Sequence, residues 1–406
     1  MTAPSGTTEA VAPPTSGTAL TDHPASNRVV VLLALAISFL FAVYLGAMGL
    51  VLPRIGALFQ VTPAVQGQVF LASFGGSVSG VLLSGTLSDR LGRKPVLLLC
   101  LAATLCGTLL FARSPSFLGV LLASGLVGAG GAGAQTVSSA LLSDLFAERR
   151  TVYINAIQIA FGAGAVCAPL FVQPFVLTGG NWRIFYLLLA GFQAALLILL
   201  ALLRVSRSAS TPVSETASSG SVNLLRERPL LVLCLSAFLY SGAEVALFSW
   251  MPTYLQTFPG GATAAGLVVS AFWLPMTVGR ACLSLLLRRV SLHTLRFGLA
   301  AGGTLASTLA LLLPQPWWML AGVALSGLFF SGIFSVLLAD GGSRYPHTAG
   351  TTLGLIVATS GAGAAILPWL VGTLRDTDLP WAGALAVVPV AMLLIVLLSL
   401  GRRSSR

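Results

Sequence analysis

Twelve runs of about twenty apolar residues, separated by short polar breaks, leave this chain few ways to fold. A helix needs roughly 20 such residues to cross the hydrocarbon core of a bilayer. In lipid every backbone amide must be bonded within its own element, so the runs spell helices. They fall near 29–52, 65–87, 95–112, 116–142, 152–178, 182–204, 229–256, 263–287, 292–313, 316–339, 348–374 and 379–400. The glycine-rich run at 116–142 is expected to kink. Composition agrees: charged residues make up 8% of the 406, where roughly a quarter is usual in a soluble domain. With 56% apolar residues and a mean hydropathy of +0.93, most of the surface must face lipid. The expected fold is an all-α integral membrane protein of twelve transmembrane helices.

Basic residues orient the spans. With both termini in the cytoplasm, sixteen Lys and Arg fall in cytoplasmic segments and four (Arg54, Arg113, Arg183, Arg375) on the other side. Arg280 and Arg296 lie within spans near their cytoplasmic ends. The net charge of +11 is scattered singly and in pairs, unlike the clustered basic face that nucleic acid requires. The five cysteines all lie inside apolar runs with no CxxC or Cys/His spacing, so neither disulfides nor a metal site is expected. Residues 1–27 read as a disordered cytoplasmic tail, 28–204 as one six-helix bundle, 205–228 as a cytoplasmic linker, 229–400 as a second bundle and 401–406 as a cytoplasmic tail.

The two bundles resemble each other. Shifting the sequence by 199 positions places Pro53 on Pro252, Phe59 on Phe258, Phe74 on Trp273, Gly80 on Gly279 and Arg90 on Arg289. Five matches at one offset point to duplication, and each first span is expected to end in an apolar-Pro turn. Between spans two and three stands Gly85-Thr-Leu-Ser-Asp89-Arg90-Leu-Gly92-Arg93-Lys94. Gly85 allows close helix approach, Gly92 a tight turn, and the basic trio faces anionic lipid. With the parallel repeat, this loop resembles the signature of the major facilitator superfamily, which implies a substrate site between the halves near the midplane. The resemblance also implies a conformational latch of Gly85, Asp89, Arg90, Gly92 and Arg93, with Asp89 set against the N-terminus of span eleven near Thr348 in the outward-open state. Arg288 occupies the place of Asp89 in the second half, so that latch is lost there.

Of eleven acidic residues, Glu244 alone lies deep within a span, about 22 Å along a helix from Pro229 at ~1.5 Å per residue. An ionised carboxylate there is costly unless paired or wet, which marks Glu244 as a candidate proton-coupling group. The bland alternative is a permanently protonated acid bonded between helices. Tyr240, one turn earlier, could donate to it. Gln135 and Ser139 on span four, Asn155 and Gln158 on span five, and Trp250 and Trp273 on spans seven and eight complete a candidate substrate set. Amides supply donor–acceptor pairs and aromatics supply flat stacking faces. The competing roles are interhelical glue for the amides and interfacial anchoring for Trp250.

Span seven, from Phe238 to Leu255, together with VSAFWLPMTVGR at 269–280 and GLFFSGIFS at 327–335, resembles the fucose/galactose/glucose–proton symporter family. That resemblance implies a monosaccharide importer driven by protons, in a bacterial inner membrane. Two departures stand out: Gln135 occupies the place of the family's span-four proton-coupling Glu, and Gly49 that of a span-one acid. A proton-driven exporter of drugs or metabolites is the rival. It usually carries an Arg in span four, where this chain has Ser124, and its span-five motif is only echoed in Gly164-Ala-Val-Cys-Ala168-Pro169. A non-transporting sensor would need a soluble signalling domain, and none is visible. No nucleophile–His cluster suggests an enzyme, and no cofactor is expected. The expected partners are a small-molecule substrate, protons and the lipid bilayer, with the chain acting as a monomer.

Overall fold

The computed structural model describes residues 24–176, 180–203, 227–286 and 290–400, which form twelve helices of membrane-spanning length. They are α1 (Asn27–Phe59), α2 (Pro63–Leu91), α3 (Arg93–Arg113), α4 (Phe117–Leu145), α5 (Val152–Val176) and α6 (Trp182–Leu202). The second set is α7 (Arg228–Leu255), α8 (Gly261–Cys282), α9 (Leu292–Leu312), α10 (Pro316–Arg344), α11 (Ala349–Asp376) and α12 (Trp381–Leu400). The 199-residue offset recurs in the helix ends: α3 and α9 begin at Arg93 and Leu292, α4 and α10 at Phe117 and Pro316, α6 and α12 at Trp182 and Trp381. Short 3-10 turns at Ala147–Arg149 and Pro346–Thr348 keep the same register. The fold is two pseudo-symmetric six-helix bundles.

Local chemistry sets the helix ends. Pro63, Pro229 and Pro316 occupy first-turn positions, where a missing N–H costs nothing. Ser116, Asn181 and Ser291 accept from backbone amides of α4, α6 and α9. Gly92, at φ +90°, makes the turn between α2 and α3 that a side chain would strain.

Several expectations need correction. Pro53 and Pro252 do not end their spans in turns; helix continues past them to Phe59 and Leu255, an internal proline being tolerated in a lipid-embedded helix. The glycine-rich α4 runs unbroken, whereas α10 is interrupted at Ser331–Gly332 and α12 at Ala386. Helical backbone already begins at Pro24, inside the stretch read as a tail. The rest of that tail, the linker up to residue 226, Arg288 and residues 401–406 lie outside the described residues.

Small residues let the helices approach closely, as packing in lipid requires. A Cβ at Gly76 would strike the backbone of Gly125, and one at Gly80 the backbone of Ala129, so α2 and α4 meet backbone to backbone. Gly363 meets Phe238 in the same way, joining α11 to α7. Near the end that carries Pro53, the bundles touch along α2 and α11, where Gly67 faces Trp369 and the Ala64 amide donates to Asp376 at 3.3 Å. Gly49 against Ser249 joins α1 to α7 there, and Ser270 Oγ donates to the Val166 carbonyl at 2.6 Å between α8 and α5.

Candidate functional site

A cavity of about 530 Å³ lies between the two bundles. Ala42 and Gly46 of α1, Phe74, Ser77 and Leu82 of α2, and Phe161 and Ala165 of α5 line one side. Ser241, Glu244 and Phe248 of α7, Trp273 of α8, and Leu353, Gly354 and Ser360 of α11 line the other. Toward the Pro53 end the α2–α11 seam closes it. Toward the opposite end, which carries Asp89, Arg90 and Arg93, Leu82 of α2 and Leu353 and Gly354 of α11 line the cavity, and a Cβ at Gly354 would meet no atom within 4 Å. The cavity thus extends toward this basic end, away from the seam.

Glu244 sits on the cavity wall, 9% exposed, one turn beyond Ser241 on α7. Tyr240 is buried one turn earlier, its ring stacked near Phe334, and its hydroxyl has no conventional hydrogen-bond partner. Arg280 of α8 is within electrostatic reach of both Glu244 and Tyr240. Its guanidinium lies 5.5 Å from the centre of the Trp273 ring, a cation–π position. Glu244 and Arg280 are near without forming an ion pair closer than 4.0 Å. Ser241 and Ser360 pair their hydroxyls at 2.5 Å across the α7–α11 contact. Phe161 and Phe248 flank Trp273 at ring-centre distances of 5.7 and 6.1 Å.

The sequence-derived set divides. Glu244 and Trp273 line the cavity, and Tyr240 lies just behind Glu244. Trp250 is fully buried instead: its indole donates to the Pro368 carbonyl at 2.8 Å and its ring lies 5.4 Å from Trp381, tying α7 to α11 and α12. Gln135 donates to Ser38 at 2.8 Å, and Ser38 in turn to the Ile157 carbonyl at 3.2 Å, which fastens α4, α1 and α5 together. Ser139 bonds back to the Gln135 carbonyl of its own helix. Asn155 and Gln158 are exposed on α5 and are not among the lining residues.

The loop residues are drawn together at the basic end. Arg93 donates to Asp89 at 2.7 Å, to Ser88 at 2.7 Å and to Asp144 of α4 at 3.0 Å. Lys94 caps the end of α6 through the Ala201 and Leu203 carbonyls. These two cations thus cross-link their own bundle, beyond any role toward lipid. Arg90 is exposed.

Sequence reasoning missed Arg280, Phe161, Phe248 and the Ser241–Ser360 pair as parts of one site. The available signal is Arg280 itself, a cation inside a span near its cytoplasmic end.

A family model described as Major Facilitator Superfamily matches residues 31–368. Bypass of stop codon protein 6 of Saccharomyces cerevisiae is 24% identical over 372 residues, covering 81% of this chain and 73% of that protein. The glucose/mannose transporter GlcP of Bacillus subtilis is 22% identical over 320 residues, covering 76% and 79%. Among solved structures, the nucleoside transporter NupG superposes with a TM-score of 0.77 at 15% identity, covering 93% of this chain and all of that one (100%). A variant of the E. coli fucose:proton symporter FucP does so at 0.63 and 17%, covering 94% and 100%.

Proposed function

The chain belongs to the major facilitator superfamily, and on that premise we propose that it is a secondary active transporter whose substrate occupies the cavity between the bundles, with Glu244 as its proton site. The observation that carries this reading is the position of Glu244: an acid deep in its span borders the cavity where the two bundles diverge. A charged carboxylate is costly there, so a change of protonation is a large local event. Ionised, Glu244 attracts Arg280 and draws α8 toward α7; protonated, it releases α8. Because α8 packs on α5 of the other bundle through Ser270, a shift of α8 is felt across the seam.

The Lys/Arg bias supports a cytoplasmic basic end and cytoplasmic termini, which makes this the inward-facing member of an alternating-access pair.

The test is reconstitution into liposomes bearing a proton gradient. Glu244→Gln should abolish gradient-driven accumulation of solute while leaving part of the solute exchange. Undiminished accumulation would remove Glu244 from the coupling step.

A further inference from the structure

We infer that the cavity accepts a flat, uncharged and largely apolar ring with one hydrogen-bonding end, in preference to a polyhydroxylated sugar; this rests on reading the cavity as the substrate site. Hydrogen-bonding capacity decides the point. Few hydroxyls reach this wall, and they are partly engaged: Ser77 donates to the Ser73 carbonyl at 2.9 Å, and one of the Ser241 and Ser360 hydroxyls donates to the other at 2.5 Å. Gln135, whose amide would suit a sugar, is engaged with Ser38. What the wall chiefly offers a ligand is the Trp273 indole N–H, which has no partner, and the Glu244 carboxyl, which Tyr240 and Arg280 approach. A monosaccharide carries a hydroxyl on nearly every carbon, and most would enter this cavity unpaired, at a desolvation cost the site does not repay.

Shape and charge narrow the class further. Phe74, Phe161, Phe248 and Trp273 offer aromatic faces around a space within the usual size range of small-molecule sites. With Glu244 ionised, it and Arg280 together carry no net charge. A cationic ring would be attracted by one and repelled by the other, and an anionic ring the reverse. An uncharged ring whose N–H or O–H donates to Glu244 has no such penalty.

Calorimetric titration of the protein in lipid nanodiscs, with benzamide, benzoate, benzyltrimethylammonium and glucose as probes, tests the class. Benzamide should bind at least about tenfold more tightly than glucose and more tightly than either charged ring. Phe161→Ala, which removes one wall, and Glu244→Leu, which removes the acceptor, should each weaken benzamide by roughly tenfold. No binding of benzamide, a preference for glucose, a preference for a charged ring, or unchanged affinity in Phe161→Ala would overturn the assignment. A cysteine at Ser77 (S77C), in a chain with its five native cysteines replaced, separates this from the broader reading. Labelling by an impermeant maleimide from both membrane faces leaves the transporter standing even if the class falls; labelling from one face alone sinks the transporter reading itself.

Discussion

Arg93 donates to the carboxylate of Asp89 at 2.7 Å across the Gly92 turn, so the acid expected to latch the opposite bundle pairs here with a residue of its own. On the alternating-access reading proposed above, the pairing belongs to the state open at the basic end. In the alternate state, the resemblance places Asp89 at the start of α11, where a helix N-terminus favours an anion.

Asp89→Asn separates these roles. The Asp89 side chain is 55% exposed, so the loss of this ion pair should lower stability by no more than about 1 kcal/mol. If Asp89 exchanges partners during the cycle, the same variant should transport several-fold more slowly. Melting temperature and initial uptake rate, measured together, check this; wild-type uptake would rule out the latch.

A second cluster holds the other bundle. Arg296 of α9 is almost fully buried and donates to Asp340 of α10 at 3.4 Å and to Ser399 of α12 at 3.0 Å, while Arg344 also donates to Asp340. Asp340→Asn would leave a buried guanidinium without its countercharge, and breaking such a pair typically costs about 3–5 kcal/mol. The variant should therefore melt far earlier than Asp89→Asn or fail to accumulate in the membrane. A thermal scan showing equal losses for both would count against this difference in burial.

Much of the fold was legible because lipid writes it plainly. Apolar runs of spanning length, basic residues on one side, and a repeat anchored by Pro53 and Pro252 left little choice of architecture. The site was only partly legible, for a physical reason. In water, a polar stripe on a helix marks its exposed face; here nearly every face is apolar, so a polar residue shows only that its face avoids lipid. Gln135 and Trp250 avoid it in seams, and Glu244 and Trp273 avoid it in the cavity. Sequence spacing does not separate the two destinations. Arg280 escaped notice because its approach to Glu244 is created by the packing of α8 against α7, not by chain proximity.

The glycine contacts between α2 and α4 make a prediction about assembly. A Cβ at Gly80 would overlap the Ala129 backbone, which cannot move aside as a side chain could. Gly80→Val should push the helices apart at a cost of about 1–3 kcal/mol or more. Gly85→Val, further along the same helix, meets open space and should be tolerated in this state. Detergent-solubilised melting curves of the two variants compare them directly, and equal curves would refute the packing argument.

Gly67 permits a prediction about the cycle rather than about folding. It sits on the seam that closes the cavity at the Pro53 end, and an added Cβ would come within 2.8 Å of the Trp369 Cα and 3.4 Å of its ring. Since that seam joins the two bundles, it must open when the cavity faces the other way, so crowding it penalises this state and spares the alternate one. Gly67→Val should cost this state about 1–3 kcal/mol, shifting the equilibrium by roughly five- to 150-fold. The variant should become more reactive toward an impermeant maleimide at S77C from the Pro53 face and less reactive from the basic face. Reactivity that falls or rises equally from both faces would show that Gly67 supports the fold without gating the cavity.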